Sequence, residues 1–126
     1  MESLQVITYT TANIVISAIK LYLIENNINN IQFYIKYPND ILVNNKKIAG
    51  ILTESCMRNK KIEHIVVGIG LNVNQNFTNL DNNLRQTSTS LYHETNKKFN
   101  REKIIVNILE QYEKIYYQLV NNNWVK

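Results

Sequence analysis

The sequence predicts an α+β domain in which helices pack on a mixed, mainly antiparallel sheet. Two stretches repeat apolar residues every three or four positions, as amphipathic helices do: residues 11–25, and a second stretch that starts near residue 100. Between them, residues 31–73 contain short runs of β-branched and aromatic residues separated by polar turns. A chain of 126 residues accommodates one domain. We therefore expect a single unit, residues 1–126, ordered as strand, helix, a run of strands, loop and helix.

Charge and cysteine content narrow the classes of function. The formal net charge is +4 at pH 7, but the lysines and arginines are scattered along the chain. This pattern suits an anionic substrate; a nucleic-acid-binding domain is an alternative class, and we predict no nucleic-acid partner. Cys56 is the single cysteine, which excludes an intrachain disulfide and favours a reducing cytoplasm. No apolar run reaches the length of about 18 residues that a bilayer span needs, so we predict no membrane segment.

The N-terminal region is expected to contain a short strand and then a helix. Residues 4–8 alternate between apolar and polar side chains, which is compatible with a strand. The helical period follows, with Thr10 or Thr11 as a plausible N-cap. Residues 31–35 are rich in aromatic and β-branched side chains, so they form the strand that leads to Lys36.

A sharp bend is predicted directly after this strand. Pro38 cannot donate a hydrogen bond to a sheet ladder, and Asn39 and Asp40 bond readily to nearby backbone. The bend fixes the direction in which Lys36 can point.

Two hairpins are expected after the bend. The dipeptide Asn44-Asn45 joins residues 41–43 to a strand at residues 48–55, because asparagine tolerates the positive φ angles of a type I′ turn. Residues 57–63 are polar and predict a second turn, and residues 64–73 return as a strand whose continuous apolar run indicates burial on both faces. Successive strands with short turns form a meander.

The C-terminal third is expected to contain a loop and a long helix. Residues 74–89 are polar, with one helical turn predicted at residues 88–92. Asn100 is the expected N-cap of an amphipathic helix of about twenty residues. Its tyrosines are interpreted as packing residues: Tyr112, Tyr116 and Tyr117.

Lys36 is the principal candidate for chemistry. A lysine at a strand end, held by a proline bend, presents a compact positive charge, and such a charge suits a reaction that joins a carboxylate to a phosphate. Lys47 lies beside this position in the predicted hairpin and suits phosphate contacts, although lysine pairs also occur on solvated hairpin arms. No metal site is predicted, because His64 and His93 are isolated from other ligand residues.

Small residues mark places where a ligand can approach the backbone. Ala49 and Gly50 either leave room for a flat ring or satisfy close packing against a helix, and the sequence leaves both interpretations open. Gly68, Gly70 and Asn72 are two positions apart, so they point to one face of a strand, where the amide of Asn72 suits adenine.

Two motifs resemble those of a known family. Residues 36–55, KYPNDILVNNKKIAGILTES, resemble the catalytic-domain signature of biotin protein ligases, and residues 68–75, GIGLNVNQ, resemble a second element of that family in the same order. The resemblance implies a fold similar to class II aminoacyl-tRNA synthetases. It also implies a two-step reaction. Biotin and MgATP give biotinyl-AMP, which is then attacked by a lysine of the biotin carboxyl carrier protein of acetyl-CoA carboxylase or a similar carboxylase. Lipoate ligases have related chemistry, but YPND followed by KKIAGIL points to the biotin branch.

The resemblance assigns expected roles to individual residues. Lys36 would be the catalytic lysine that contacts the biotin carboxylate and the adenylate. The expected biotin-binding residues are Lys36, Ala49 and Gly50. The expected ATP and adenylate contacts are Asn72, Gly70 and Lys47. The turn that orients the site would consist of Pro38, Asn39 and Asp40.

The motifs correspond to the later half of a complete ligase catalytic domain. A GRGR-like loop, which family members carry upstream, does not occur in these residues. We therefore expect weak or no ligase activity from this chain unless another chain supplies the missing half, and a homodimer is a further possibility. The alternative function is a non-catalytic remnant or interaction domain that retains the ligase scaffold.

Overall fold

The computed structural model describes residues 2–78 and 82–121. Four helices and four strands follow one another in these residues. The helices are α1 (Glu2–Glu25), α2 (Asn82–Thr87), α3 (Leu91–Thr95) and α4 (Arg101–Asn121). The strands are β1 (Tyr34–Lys36), β2 (Asp40–Val43), β3 (Lys46–Arg58) and β4 (Lys61–Leu71). The predicted α+β class is confirmed.

The four strands form one sheet in chain order, β1-β2-β3-β4, and each neighbouring pair is antiparallel. The predicted meander is therefore confirmed. The parallel component of the predicted mixed sheet is limited, among the described residues, to one isolated bridge between Lys47 and Ser88.

Both hairpin turns use residues with positive φ angles. Asn44 and Asn45 have φ angles of 51° and 63°, and Asn59 and Lys60 have φ angles of 53° and 64°. These are the left-handed conformations that a two-residue type I′ turn requires. The first turn is confirmed as predicted, and the second is shorter than residues 57–63 because β3 and β4 extend almost to its tip.

The predicted burial of the last strand on both faces is wrong. Side chains of β4 alternate, with Val67, Ile69 and Leu71 packed against the core. Val66, which precedes them and projects to the opposite face, is 55% exposed. The apolar run indicated a strand correctly but could not show that, among the described elements, the core lies on one face of this sheet alone.

The N-terminal strand predicted at residues 4–8 is also wrong, because α1 begins at Glu2. Thr10 and Thr11 consequently lie inside the helix and do not cap it. Thr8, three residues before Thr11, contacts the sheet: its hydroxyl donates to the Leu4 carbonyl at 2.8 Å and shares a hydrogen bond with Thr53 of β3 at 2.7 Å. An alternation over five residues is too short to distinguish a strand from a helix, and these residues form the first turns of a helix of 24 residues.

Helix α1 is long and apolar enough, over Leu4–Glu25, to meet the length and composition of a membrane span. Its apolar stripe, however, contributes six residues to the hydrophobic core: Ala12, Ile14, Val15, Ala18, Ile19 and Leu23. Packing against β3 and α4 thus accounts for the stripe.

Helix α4 lies against α1 through apolar and polar contacts. Asn100 caps it, since its Oδ1 accepts the Lys103 N–H at 3.2 Å, as predicted. Thr11 and Tyr112 share a hydrogen bond between the helices. Burial raises the pKa of the Tyr112 hydroxyl above its usual value, and the hydrogen bond to Thr11 opposes that rise.

The prediction that the tyrosines of α4 are packing residues is confirmed only in part. Tyr112 packs on the core as predicted, whereas the two remaining tyrosines of α4 are more than half exposed, so their assignment as packing residues is wrong: Tyr116 and Tyr117.

The polar loop contains α2, which was not predicted. The helical turn predicted at residues 88–92 is α3, three residues later, with Ser90 as its N-cap. Residues 79–81 of the loop lie outside the described residues.

Candidate functional site

One row of residues crosses all four strands on the face of the sheet that lies away from the core. Lys36 pairs with Asp40, Asp40 with Gly50, and Gly50 with Gly70. Directly paired residues of antiparallel strands project to the same face. The structure therefore brings together four predicted site residues from four strands on what we call the open face.

The open face contains a groove whose floor is made of glycine. Gly50, Gly68 and Gly70 are all the glycines of the chain, and all three line a groove of about 400 Å³ together with Asn39 and Lys47. None of the three has a positive φ angle. The turns that need such angles use asparagine and lysine instead, so backbone conformation does not explain the glycines.

Internal packing does not explain two of these glycines either. A Cβ atom at Gly68 would approach the Leu52 carbonyl oxygen to 3.7 Å, and one at Gly70 would approach the Gly50 carbonyl oxygen to 4.0 Å. Both are ordinary contact distances. Glycine in a strand lowers the stability of the fold by about 0.5–1 kcal/mol relative to alanine. The contacts among the described residues do not offset this loss, so another advantage explains why glycine occupies these two positions. Close approach of a ligand to the strand backbone is such an advantage.

Gly50 differs from the other two because a neighbouring side chain lies over it. The Cβ position of Gly50 is 3.0 Å from both Cε and Nζ of Lys47. Lys47 reaches across this glycine to Asp40, with 3.1 Å between Nζ and Oδ1. The side chains of Lys47 and Asp40 are 50% and 27% exposed, respectively.

Ala49 does not line the groove with its side chain. It is 1% exposed and belongs to the hydrophobic core. The structure thus separates the two small residues that the sequence presented together: close packing explains Ala49, and Gly50 faces the groove.

The bend before β2 places Lys36 at one end of the row. The Tyr37-Pro38 peptide is cis, and the Ile51 N–H donates to the Asn39 carbonyl at 2.9 Å, which ties the bend to β3. The Lys36 side chain is exposed, and within residues 2–78 and 82–121 it has no hydrogen bond or ion pair. Asp40 pairs with Lys47, so it does not orient Lys36 through a direct contact.

Asn72 lies immediately after β4 and is held by three hydrogen bonds, one of which its carbonyl accepts from the Leu91 N–H at 3.1 Å. Its backbone N–H donates to the Ile48 carbonyl at 2.9 Å, and its Nδ2 donates to the Thr89 carbonyl at 3.1 Å. The amide orientation is thereby set, with Oδ1 as the acceptor that this contact leaves available.

A network around Thr89 supports Asn72 and Lys47. The Thr89 N–H donates to the Lys47 carbonyl at 2.9 Å, and the Thr89 hydroxyl donates to Glu94 at 2.5 Å. The second oxygen of Glu94 accepts from Asn44 Nδ2 at 2.7 Å. Sequence reasoning missed Thr89 and Glu94. The one local signal was Ser90 directly before an apolar residue, a common helix N-cap.

Comparison with protein families gives a match to the biotin/lipoate A/B protein ligase family over residues 2–72. The bifunctional ligase/repressor BirA of Bacillus subtilis is 42% identical over 86 residues, which cover 68% of this chain and 26% of that protein. The chloroplastic biotin–protein ligase 1 of Arabidopsis thaliana is 40% identical over 67 residues, covering 53% of this chain and 18% of that protein.

Solved structures of a biotin protein ligase share this fold. The apo enzyme from Aquifex aeolicus superimposes with a TM-score of 0.74 at 27% identity, over 94% of this chain and 48% of that enzyme. The same ligase in complex with biotin and ATP gives a TM-score of 0.70 at 28% identity, over 92% and 44%. The chain thus spans about half the length of the solved relatives and about a quarter of the Bacillus protein.

These matches confirm the resemblance predicted from the two motifs. The family match alone spans more than half of the 126 residues. The chain therefore belongs to the biotin/lipoate A/B protein ligase family.

Proposed function

We propose that residues 1–126 form part of the catalytic domain of a biotin–protein ligase, similar in fold to class II aminoacyl-tRNA synthetases. The domain activates biotin with ATP to biotinyl-AMP and transfers biotin to a lysine of a carrier protein. The observation that carries this proposal is the glycine-floored groove, with Lys47 beside it and Lys36 at the end of the same row of residues. The groove suits a flat ring system, and the lysines suit the anionic groups attached to it.

Lys36 is proposed as the catalytic lysine. The carboxylate oxygen of biotin attacks the α-phosphorus of ATP, pyrophosphate leaves, and negative charge accumulates on the phosphoryl oxygens as the transition state forms. An ammonium group beside the phosphoryl oxygens stabilises this charge more than it stabilises the ground state. The exposure of Lys36, and its lack of an ion-pair partner among the described residues, keep its charge available for the substrate.

Asn72 is proposed to contact adenine. A side-chain amide pairs with adenine by accepting from the exocyclic amine and donating to a ring nitrogen. The Asn72 Nδ2 donates to the Thr89 carbonyl, which orients the amide and leaves its oxygen to accept from such an amine. Gly70 and Lys47 are proposed to contact the adenylate, and Gly50 to contact biotin with its backbone.

Magnesium enters this proposal as MgATP. Among the described residues, no group of three or more histidine, cysteine, aspartate or glutamate side chains is placed to hold a metal. Asp40 is the carboxylate of the row, and it is paired with Lys47. Mg²⁺ commonly binds through substrate phosphates with few protein ligands, so the residues present fit an ion that arrives with the nucleotide.

The acceptor is proposed to be the biotin carboxyl carrier protein of acetyl-CoA carboxylase or a similar carboxylase, in the cytoplasm. The carrier lysine attacks the acyl carbon of biotinyl-AMP, an amide bond forms, and AMP leaves. The open face also exposes apolar side chains such as Leu52 and Val66. We therefore propose that turnover requires the remainder of a ligase domain, in the same polypeptide or in a second chain.

The test is a calorimetric titration with a non-hydrolysable biotinyl-AMP analogue. Saturable binding to the wild-type chain is expected. Lys36→Ala should weaken it by about 10-fold to 100-fold, since a charge-assisted hydrogen bond contributes roughly 1.5–3 kcal/mol. Lys61→Ala is the matched control: it removes the same charge at the far end of β4, and its affinity should equal that of the wild type.

Two results would contradict the proposal. A folded wild-type chain that does not bind the analogue has the family scaffold without its site. Equal losses in the two lysine variants mean that net charge, and not the position of Lys36, determines binding. Because the family includes lipoate ligases, a lipoyl-AMP analogue titrated in parallel distinguishes the two branches.

A further inference from the structure

Thr89 is a buried junction between two residues that are proposed to contact the nucleotide. It is 0% exposed. Each of its polar groups bonds to a different segment. Its N–H donates to the Lys47 carbonyl of β3, its hydroxyl donates to Glu94 of α3, and its carbonyl accepts from Asn72 Nδ2 after β4. Buried polar networks whose members are all paired are rigid, so the Thr89 carbonyl has a fixed direction.

The backbone of Asn72 is also held on both sides. Its N–H donates to the Ile48 carbonyl, and its carbonyl accepts from the Leu91 N–H. The freedom that remains is a flip of the side-chain amide, which exchanges Nδ2 and Oδ1. A carbonyl only accepts hydrogen bonds, so the fixed Thr89 carbonyl selects the orientation in which Nδ2 faces it. Oδ1 has no hydrogen-bond partner among the residues that the structure describes, and it is the atom presented to a ligand.

We propose that the hydrogen bond between Thr89 and Glu94 makes the site selective for adenine over a purine with a 6-oxo group, such as hypoxanthine. This selectivity rests on the proposed function, because it requires Asn72 to contact the base. The 6-amine of adenine is a donor and matches Oδ1. The 6-oxo group is an acceptor, so it matches the amide only after a flip. The flip would place Oδ1 against the Thr89 carbonyl, which leaves two acceptors facing each other without a proton.

Glu94 acts on the base through Thr89 and is therefore a positioning residue. Its carboxylate accepts from the Thr89 hydroxyl with one oxygen and from Asn44 Nδ2, in the turn between β2 and β3, with the other. Hydrogen bonds to a charged group are stronger than those between neutral groups, so Glu94 is the strongest partner of Thr89. Without this bond, the Thr89 backbone can turn together with the Asn72 amide. A pair that only fastened α3 to the hairpin would not affect which base binds.

The experiment compares the non-hydrolysable biotinyl-AMP analogue with its counterpart that carries hypoxanthine in place of adenine. Both are titrated calorimetrically into the wild-type chain, Thr89→Val, Thr89→Ser and Glu94→Ala. The wild type should bind the adenine ligand about 10-fold to 100-fold more tightly, since the other base leaves polar groups mispaired. In Thr89→Val, which keeps the side-chain shape without the hydroxyl, this preference should fall about tenfold. Glu94→Ala should show the same fall, and Thr89→Ser, which retains the hydroxyl, should keep the wild-type preference.

Thr95→Val is the matched control, because it removes a hydroxyl from the same helix as Glu94. The Thr95 hydroxyl donates to the Leu91 carbonyl at 2.6 Å, not to Thr89 or Asn72, so the preference for adenine should equal that of the wild type. An unchanged preference in either Thr89→Val or Glu94→Ala, or an equal fall in Thr95→Val, overturns the inference and leaves the proposed function intact.

The wild-type chain itself separates this inference from the proposed function. If it binds the two ligands equally, the orientation of the Asn72 amide does not select the base, and the inference is wrong while ligand binding stands. A folded wild-type chain that binds neither ligand overturns the proposed function and the inference with it.

Discussion

Two rows of the same sheet, one residue apart, have opposite characters. The first row, on the inner face, consists of Ile35, Ile41, Ala49 and Leu71, which pair directly across the four strands. All four belong to the core or pack against it. The second row is the open-face row of Lys36, Asp40, Gly50 and Gly70. A single step along each strand therefore separates a packed layer from a groove.

The difference shows where this sequence specifies stability and where it specifies binding. Apolar burial contributes about 25 cal/mol per Å² removed from water, and the inner row follows that rule. The second row contains glycines that lower strand stability and a lysine without a partner among the described residues. Local departures from the most stable choice concentrate at functional sites.

The largest expected effect contrasts adjacent residues of β3. Ile51 is 2% exposed on the inner face, and Leu52 is 59% exposed on the open face. Ile51→Ala should lower the free energy of unfolding by about 2–5 kcal/mol because it leaves a cavity in the core. Leu52→Ala should change it by less than about 0.5 kcal/mol.

Chemical denaturation of both variants measures this contrast. Equal losses in the two variants would show that the open face is packed in solution, for example against a second copy of the chain. The distinction between the rows would then be wrong.

A smaller effect is expected at Glu94 of α3, beside the hairpin that joins β2 and β3. Its carboxylate accepts hydrogen bonds from the buried Thr89 hydroxyl and from Asn44. Glu94→Ala should cost about 1–3 kcal/mol of unfolding free energy, since a buried hydroxyl loses a charged partner. Amide hydrogen exchange at Thr89 should accelerate as well. Glu63→Ala, an exposed carboxylate on β4, is the control and should leave both quantities unchanged; a matching loss there would exclude a specific role for Glu94.

The parts of the fold that the sequence predicts well are those with local causes. Asn44-Asn45 has the backbone preference of its turn within two residues, and Asn100 lies directly before the helix it caps. The bend after Lys36 follows from a proline and two residues that bond to backbone. Such features need no knowledge of the rest of the molecule.

The features that sequence reasoning missed depend on distant contacts. The alternation in residues 4–8 fits a strand or a helix, and the core beneath α1 decides between them. The apolar run of β4 does not reveal which face the helices cover. The ion pair between Asp40 and Lys47 requires a β-bulge at Ile48, and no local sequence pattern predicts that bulge.

A further test concerns the hydroxyl pair in the helical layer beneath the inner face. Tyr112→Phe removes the hydrogen bond to Thr11 and should cost about 0.5–1.5 kcal/mol at neutral pH. Burial raises the pKa of Tyr112 in the folded chain, so above pH 10 the unfolded chain loses this proton first. The stability contribution is therefore complete below pH 10 and is lost as pH rises through the folded-state pKa.

Denaturation at a series of alkaline pH values measures this contribution. The wild-type chain should lose stability more steeply than Tyr112→Phe above pH 10. Tyr117→Phe alters an exposed tyrosine of the same helix and should keep the wild-type slope. Identical slopes in all three proteins would mean that Tyr112 is not buried in the folded chain.

The smallest change in stability is expected at Gly70, and it separates the two rows most directly. A Cβ atom there meets its nearest neighbour, the Gly50 carbonyl oxygen, only at 4.0 Å. Gly70→Ala should therefore raise the free energy of unfolding by about 0.5–1 kcal/mol, because alanine restricts the unfolded chain without strain in the strand. The same methyl group projects into the groove, so binding of the biotinyl-AMP analogue should weaken.

Stability and affinity then move in opposite directions in one variant, which a purely structural glycine cannot produce. Cys56→Ala, an exposed position of β3 outside the groove, should leave analogue binding unchanged. If Gly70→Ala binds the analogue with wild-type affinity, the glycine floor is not the surface that contacts the ligand. The proposal that the open-face row is a binding site would then be wrong. If Gly70→Ala is more stable than the wild type and does not bind the analogue, ligand binding explains why this strand contains glycine despite the stability that it loses.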